Sequence, residues 1–193
     1  MSTTTDDDLV VLVDDSDAAL GTADKLDAHR QGLKHRAISA LVRNASGALL
    51  LQRRASSKYH SGGLWTNACC SHPLPGEAPL AATHRRLQQE MGFDCALDPL
   101  FVVHYRADVS NGLIENELVH VFGGTHDGPV RPDPAEASEF RWMTLEALEA
   151  DMADRPQSYT VWFRKYMNKN REQIAAWLRE ARNEGPGSGR DGR

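Results

Sequence analysis

"EAPLAATHRRLQQEMGF", Glu77 to Phe93, decides how the chain folds. From Pro79 to Met91 the pattern is helical: Leu80, Leu87 and Met91 recur at helical spacing for burial, and Gly92 can take the left-handed conformation that ends a helix. Arg86 and Glu90 lie four residues apart, on one helix face. The preceding stretch, "WTNACCSHPLPGE" (Trp65 to Glu77), reads as a loop, because Gly62, Gly63, Pro73, Pro75 and Gly76 punctuate it.

Outward from this helix, the pattern changes to strands. "RAISALVR" (36–43) and "ALLLQRR" (48–54) flank the turn-like "NASG" and predict a hairpin. "LFVVHYRA" and "LIENELVHVFGG" are strand candidates around "DVSNG", "FRWM" is another, and "LVVLVD" (9–14) is a short strand near the start. The C-terminal part is helical, with "LEALEADM" followed by "TVWFRKYMNKNREQIAAWLREAR". Strands and helices mix without regular alternation, which predicts an α+β class with helices packed around a mixed sheet.

The 193 residues, 40% hydrophobic and 25% charged, suit one domain large enough to enclose a substrate, spanning residues 9–183. Residues 1–8 read as a disordered acidic tail, and the Gly-rich "EGPGSGRDGR" (184–193) as a second. No segment reaches the roughly 20 apolar residues of a membrane helix, and the start lacks a secretory pattern, so a cytoplasmic protein with no membrane partner is expected. The net charge of −5 argues against a nucleic-acid partner, although acidic residues crowd the N-terminus and hide local basic clusters. Cys69, Cys70 and Cys95 form an odd set, and adjacent cysteines bridge each other poorly, so free thiols or a metal remain.

On a strand, Glu115 and Glu117 project to one side and Asn116 to the other. Two like-facing carboxylates repel unless a cation lies between them; a solvated strand edge is the plainer alternative. His29, His35 and His72 carry imidazoles that, with carboxylates, suit a divalent ion, though each alone is also an ordinary surface or core residue. In an extended segment Cys70 and His72 face one way, Cys69 and Ser71 the other. Cys69 is therefore assigned to the core. Lys25, Arg53, Arg54, Lys58, Arg85 and Arg86 form a basic set suited to a diphosphate or to a solvated face, the latter favoured for Arg53 and Arg85.

The helix stretch also resembles a degenerate Nudix box. Glu77, Arg85, Leu87, Glu90, Gly92 and Phe93 match in register, while Ser71 stands at a glycine position and Arg86 and Gln89 replace glutamates. Together with "HRAIS", "RRASSKYHSGGLWTN", "WTNACCSHP", "YRADVSNGLIENE" and "YTVWF", it is similar to the type 1 isopentenyl-diphosphate isomerases over about residues 21–177. That resemblance implies a Nudix-like mixed sheet packed between helices. It also implies an enzyme that interconverts isopentenyl and dimethylallyl diphosphate for isoprenoid precursor supply.

By position, the resemblance implies a site of His29, His35, His72, Glu115 and Glu117 for one divalent ion, Mn²⁺, Mg²⁺ or Zn²⁺. The interval between His29 and His35 varies in that family, which leaves His29 the least secure ligand. The resemblance further implies Cys70 and Glu117 as catalytic groups with Tyr105 beside Glu117, and Glu90, with Cys70, near a Mg²⁺ shared with the substrate diphosphate. Lys25, Arg54, Lys58 and Arg86 match diphosphate-contacting positions, and Trp162 the aromatic over the hydrocarbon. Two alternatives accompany this reading: a Nudix-type diphosphate hydrolase, against which the missing box glutamates argue, and a non-catalytic structural-zinc module, for which adjacent cysteines are poorly spaced.

Overall fold

The computed structural model describes residues 8–183, so the expected tails lie outside the described residues apart from Asp8. Among the described residues, nine strands form one mixed sheet: β1 (Leu9–Val13), β2 (Ala19–Asp24), β3 (His35–Arg43), β4 (Leu49–Arg54), β5 (Trp65–Asn67), β6 (Cys69–Ser71), β7 (Leu97–Asp108), β8 (Ile114–Thr125) and β9 (Ala137–Met143). Five α-helices accompany it among the described residues: α1 (Lys25–Gln31), α2 (Pro79–Met91), α3 (Leu145–Asp154), α4 (Val161–Lys169) and α5 (Arg171–Asn183). The α+β class and the helix-flanked mixed sheet follow the sequence-based expectation.

Strand β3 is the spine of the sheet. It pairs parallel with β8 from His35↔Glu117 to Arg43↔Thr125, and antiparallel with β6 at Ile38↔Ser71, Ser39↔Cys70 and Ala40↔Cys69. Its side chains alternate between two cores. Ile38, Ala40 and Val42 join Cys69, Ala82, Leu87 and Met91 under α2. Ala37 and Leu41 join Val119, Val121, Phe163, Tyr166 and Ile174 under α4 and α5. A strand buried on both faces is apolar nearly throughout, so Ser39, fully buried in its middle, is the polar exception.

Helix α2 has the predicted bounds. Pro79 occupies its first turn, where the missing N–H costs nothing, and Gly92 ends it at φ +74°. A side chain at residue 92 would also meet the Arg131 carbonyl oxygen, with Cβ at 2.4 Å, so only glycine fits. Leu87 and Met91 are buried, but Leu80, expected in the core, is 38% exposed. It lies in the first turn and lines an open apolar cleft with Pro99, Phe101 and Val102 instead of reaching the closed core.

Three further expectations are corrected. The stretch from Trp65 to Glu77 is not all loop. Its first half forms β5 and β6, because the glycines and prolines lie only at its ends, and the Asn67 amide, closing β5, donates to the carbonyls of Ala40 (2.9 Å) and Cys69 (2.8 Å). The β3–β4 hairpin pairs only at Arg43↔Leu49 before its strands diverge to other partners, β4 joining β5 and β9. The C-terminal helical stretch breaks at Asn170, whose φ of −116° leaves the helical range and separates α4 from α5. Helix α1 and strand β2 appear without a counterpart in the sequence reading. Among the described residues, no helix is long and apolar enough to cross a membrane.

Candidate active site

The register of the sheet assembles the site. Tyr105 on β7 lies across from Glu117 on β8, which lies across from His35 on β3; Ala107 lies across from Glu115. Directly paired residues point to the same face, so Tyr105, Glu117 and His35 form a row, and Ser39 and Cys70 continue that face on β3 and β6. His72 follows two residues after Cys70 and reaches the same face. Helix α1 contributes His29. It starts at Asp24, whose side chain accepts from the Asp27 N–H at 3.0 Å, and ends at Gly32 (φ +64°), which turns the chain into β3.

The expected five donors therefore converge, in two groups that share His29. Donor atoms of His29, His35, His72 and Glu117 all lie within 4.8 Å of one another, as do those of His29, His60 and Glu115. Nδ1–H of His29 donates to the Lys25 carbonyl at 2.6 Å, and Nδ1–H of His35 to the Leu33 carbonyl at 2.8 Å. A carbonyl can only accept, so Nδ1 carries hydrogen in each ring and Nε2 is the nitrogen whose lone pair is exposed when the ring is neutral. Those two Nε2 atoms and Oε2 of Glu115 are buried without a hydrogen-bond partner among the described residues. Buried polar atoms are rarely left so, and imidazole nitrogens facing carboxylate oxygens fit a divalent cation.

Burial and neighbouring charge set the protonation of the group. Burial pushes His72 down to about 4, against the pull of Glu117, so its ring is neutral at pH 7. Burial also disfavours protonated His29, but the Glu115 carboxylate outweighs it and raises that ring above its usual range. Burial acts against the Glu117 charge too. There the nearby His35 and His72 rings, at 3.6 and 3.0 Å from Oε1, win and hold its carboxyl well below the ordinary range. Glu117 divides its oxygens: Oε1 faces His72 Nε2 at 3.0 Å, and Oε2 accepts from the Tyr105 hydroxyl at 2.6 Å.

Cys70 is held by a polar frame of its own. The Asn67 amide nitrogen is committed to two carbonyls, which fixes Oδ1 toward Cys70, and the thiol donates to it at 3.1 Å. Ser39 Oγ lies 2.9 Å from the sulfur and 3.3 Å from the Tyr166 hydroxyl. Burial pushes the thiol up to about 12, so it keeps its proton at neutral pH. Cys69, on the opposite face, is fully buried among Ile38, Leu87 and Met91. This separates the two cysteines as the alternation predicted.

Cys70, Glu117, Tyr105 and Trp162 line one narrow cavity of about 50 Å³, with Ser39, Arg54 and His60. Ser71 and His72 lie on its boundary with an open polar cleft of about 500 Å³, lined by Lys25, Lys58 and Arg86. Trp162 is held edge-on by its indole N–H, which donates to Thr66 Oγ1 at 2.9 Å. The Arg54 guanidinium lies 5.2 Å from the Trp162 ring centre, donates to the His60 carbonyl at 3.2 Å, and keeps a buried Nε–H without a partner among the described residues.

Within the box, Arg85 clamps Glu77 through two hydrogen bonds of 2.8 and 2.7 Å, a structural pairing that fits its assignment outside the site. Arg53 is likewise engaged, with Glu139 at 2.7 Å. Glu90 joins neither donor group: Arg86 holds its Oε1 at 2.9 Å and Gln52 its Oε2 at 3.1 Å. Glu136, absent from the sequence reading, bridges Lys58 and Arg86, and these cations hold its carboxyl below the ordinary range against burial. His60, Asn67, Ser39 and Tyr166 also escaped the sequence reading. Only Ser39 carried a signal, as the lone polar residue inside an apolar strand.

The mixed sheet between helices, with Glu77 clamped by Arg85, Glu90 buried and Gly92 ending the helix, agrees with the Nudix resemblance of that helix. The NUDIX domain profile matches residues 33–163. Solved structures share the fold: DR0079 from Deinococcus radiodurans, at a TM-score of 0.63 and 21% identity, covers 76% of this chain and 89% of its own. The Nudix hydrolase RenU from M. smegmatis gives 0.54 at 20% identity, with 86% and 94% covered.

The sequence relatives are narrower. "Isopentenyl-diphosphate Delta-isomerase 1" of Aromatoleum aromaticum is 51% identical over 156 residues, 81% of this chain and 88% of that protein. "Isopentenyl-diphosphate Delta-isomerase 2" of Photorhabdus laumondii is 47% identical over 174 residues, 90% and 98%. The chain belongs to the Nudix superfamily and, within it, to the isopentenyl-diphosphate Delta-isomerase family.

Proposed function

We propose that this chain interconverts isopentenyl diphosphate and dimethylallyl diphosphate. The observation that carries the reading is the placement of Glu117 and Cys70 in one narrow cavity, on the two strands that flank β3. Moving the double bond requires a proton to join the terminal methylene and another to leave the methylene next to the diphosphate-bearing carbon. Two groups on separate walls do this without rotating the substrate.

Glu117, with Tyr105 at 2.6 Å, serves the protonating wall, and Cys70 the opposite one. This direction needs the proton on the Glu117 carboxyl and a Cys70 thiolate. The ionised Glu117 and protonated Cys70 described above are the states from which the return reaction starts, so one proton passes from thiol to carboxyl between turnovers. The roles exchange in the return direction, since each group ends a turnover in the state from which the reverse reaction starts. An alkene is a very weak base, so the site must hold a tertiary cation away from water. Trp162 and Tyr166 line that cavity, and the Trp162 face contributes up to ~2 kcal/mol toward a desolvated cation.

His29, His35, His72, Glu115 and Glu117 hold one divalent ion, with Mn²⁺, Mg²⁺ and Zn²⁺ all compatible with the donors. The ion supplies positive charge that fixes Glu117 and tunes its acidity. Lys25, Lys58, Arg86 and Arg54 would receive the diphosphate, and Glu90 and Cys70 would be the residues near the Mg²⁺ it carries, Glu90 only once Arg86 or Gln52 gives up one of its oxygens. Glu136 must release Lys58 and Arg86 to the substrate, or share them with it.

The test is incubation with isopentenyl diphosphate and Mg²⁺ in D₂O, followed by NMR of the methyl and methylene signals. Dimethylallyl diphosphate with deuterium in a methyl group is expected. Release of phosphate without that product would instead establish a Nudix hydrolase.

A further inference from the structure

We infer that His60 is a positioning residue of the metal centre: its Nε2–H holds one oxygen of Glu115 and so reserves the other for the ion. This rests on the metal-site reading above and adds a residue to it. His60 lies in the segment between β4 and β5 and is 4% exposed, so its ring nitrogens need partners inside the protein.

Those partners are specific. Nε2 lies 3.0 Å from Glu115 Oε1, and Nδ1 lies 3.2 Å from the Ser61 hydroxyl. A carboxylate oxygen accepts, so Nε2 carries the hydrogen and Nδ1 accepts from Ser61, whose hydroxyl can rotate to donate. The other Glu115 oxygen, Oε2, has no hydrogen-bond partner among the described residues and faces His29 Nε2 at 3.6 Å, itself unpartnered. One oxygen is thus fixed by hydrogen bonding, and the other is left with a nitrogen donor opposite. This is how a hydrogen-bonded carboxylate is presented to a cation.

The ring of His60 is itself fixed. It meets Trp162 edge-on at 5.8 Å and Tyr59 at 4.4 Å, and its carbonyl accepts from Arg54 at 3.2 Å. Its imidazole therefore has little freedom to swing from Glu115 toward the other donors. His60 also falls outside the group formed by His35, His72 and Glu117, so its contact with the centre runs through Glu115 and beside His29.

The experiment is a metal titration of the full chain with Mn²⁺ and Zn²⁺, in competition with a chromophoric chelator and without substrate. It compares wild type, His60→Leu and His60→Gln, with thermal melting of each metal-free form. His60→Gln keeps an N–H donor near the same place. Wild type should bind one equivalent, His60→Leu should bind about 10- to 100-fold more weakly, and His60→Gln should recover most of the loss.

Equal or tighter binding by a folded His60→Leu would overturn the inference, because Glu115 then needs no partner to meet the ion. Should His60→Leu fail to fold, His60→Gln decides: binding near wild type supports the role, and binding about as weak as a His29→Ala control overturns it. A wild type that binds no metal overturns the centre itself, and the role of His60 with it.

Discussion

The Tyr105 hydroxyl lies 2.6 Å from Oε2 of Glu117, directly across the β7–β8 register. Burial raises the Tyr105 hydroxyl well above its ordinary range, so it stays a donor at any working pH. Tyr105→Phe should therefore lower kcat by on the order of 10²-fold, with KM changed little, because the hydroxyl acts on the proton-transferring carboxylate and not on the diphosphate. Steady-state kinetics check this; a loss carried wholly by KM would place Tyr105 in substrate binding.

The two adjacent cysteines should separate cleanly. Cys70→Ala is expected to abolish turnover while the fold survives. Cys69→Ala should keep most activity and cost about 1 kcal/mol of stability from the void it leaves under α2. Parallel kinetics and thermal melts decide, and equal losses of activity would refute the opposite-facing arrangement.

Cys70 should be a sluggish nucleophile in the metal-free protein. With the thiol near 12, the thiolate fraction at pH 7 is on the order of 10⁻⁵, and alkylation should quicken about tenfold per pH unit up to at least pH 10. Iodoacetamide rates in a Cys69→Ala, Cys95→Ser background measure it. A plateau below pH 8 would show a thiol activated by its surroundings.

Metal binding should release protons near neutral pH, and His29 is their source. Its ring is raised above 6.5 by Glu115, whereas His72 is already neutral above about 4. Calorimetry with Mn²⁺ at pH 6.5 should give enthalpies that depend on the buffer's ionisation heat. His72→Ala should weaken binding without changing that release; buffer-independent enthalpies would show that the His29 ring is already neutral before the metal binds.

Away from the site, Asp151 ties α3 to the chain entering α4. It accepts from the Tyr159 hydroxyl, from Arg155 and from Arg141 at 3.1 Å, and these donors lower its carboxyl from 3.8 to about 2. A depressed carboxyl stabilises the fold above pH 3.8, and that contribution is lost as pH falls toward 2. Asp151→Asn should melt about 2–4 °C lower at pH 6, a loss of about 1 kcal/mol, and the difference should shrink as pH falls through about 2 and vanish below it.

Local chemistry settled much of this protein before any tertiary contact. Pro79 and Gly92 mark the ends of α2 because one lacks an N–H and the other tolerates positive φ. Alternation put Glu115 with Glu117, and Cys70 with His72, on common faces, because a strand repeats every two residues. Where local signals were weak or overridden, the reading failed: β5 and β6 hide between glycines and prolines, and their pairing with β4 and β3 is long-range.

Tertiary structure alone decided which faces meet. Parallel pairing of β3 with β8 sets His35 beside Glu117, and antiparallel pairing with β6 sets Cys70 beside Ser39, across separations that no periodicity encodes. His60 shows the same limit. Nothing in "KYHSGG" distinguishes it from a surface histidine; its role arises only because the segment folds back over β8 and leaves an imidazole 3.0 Å from a buried carboxylate. Sequence fixes the conformation and facing of each short segment through local sterics, whereas a charge or lone pair acquires a partner only when distant segments pack and water leaves.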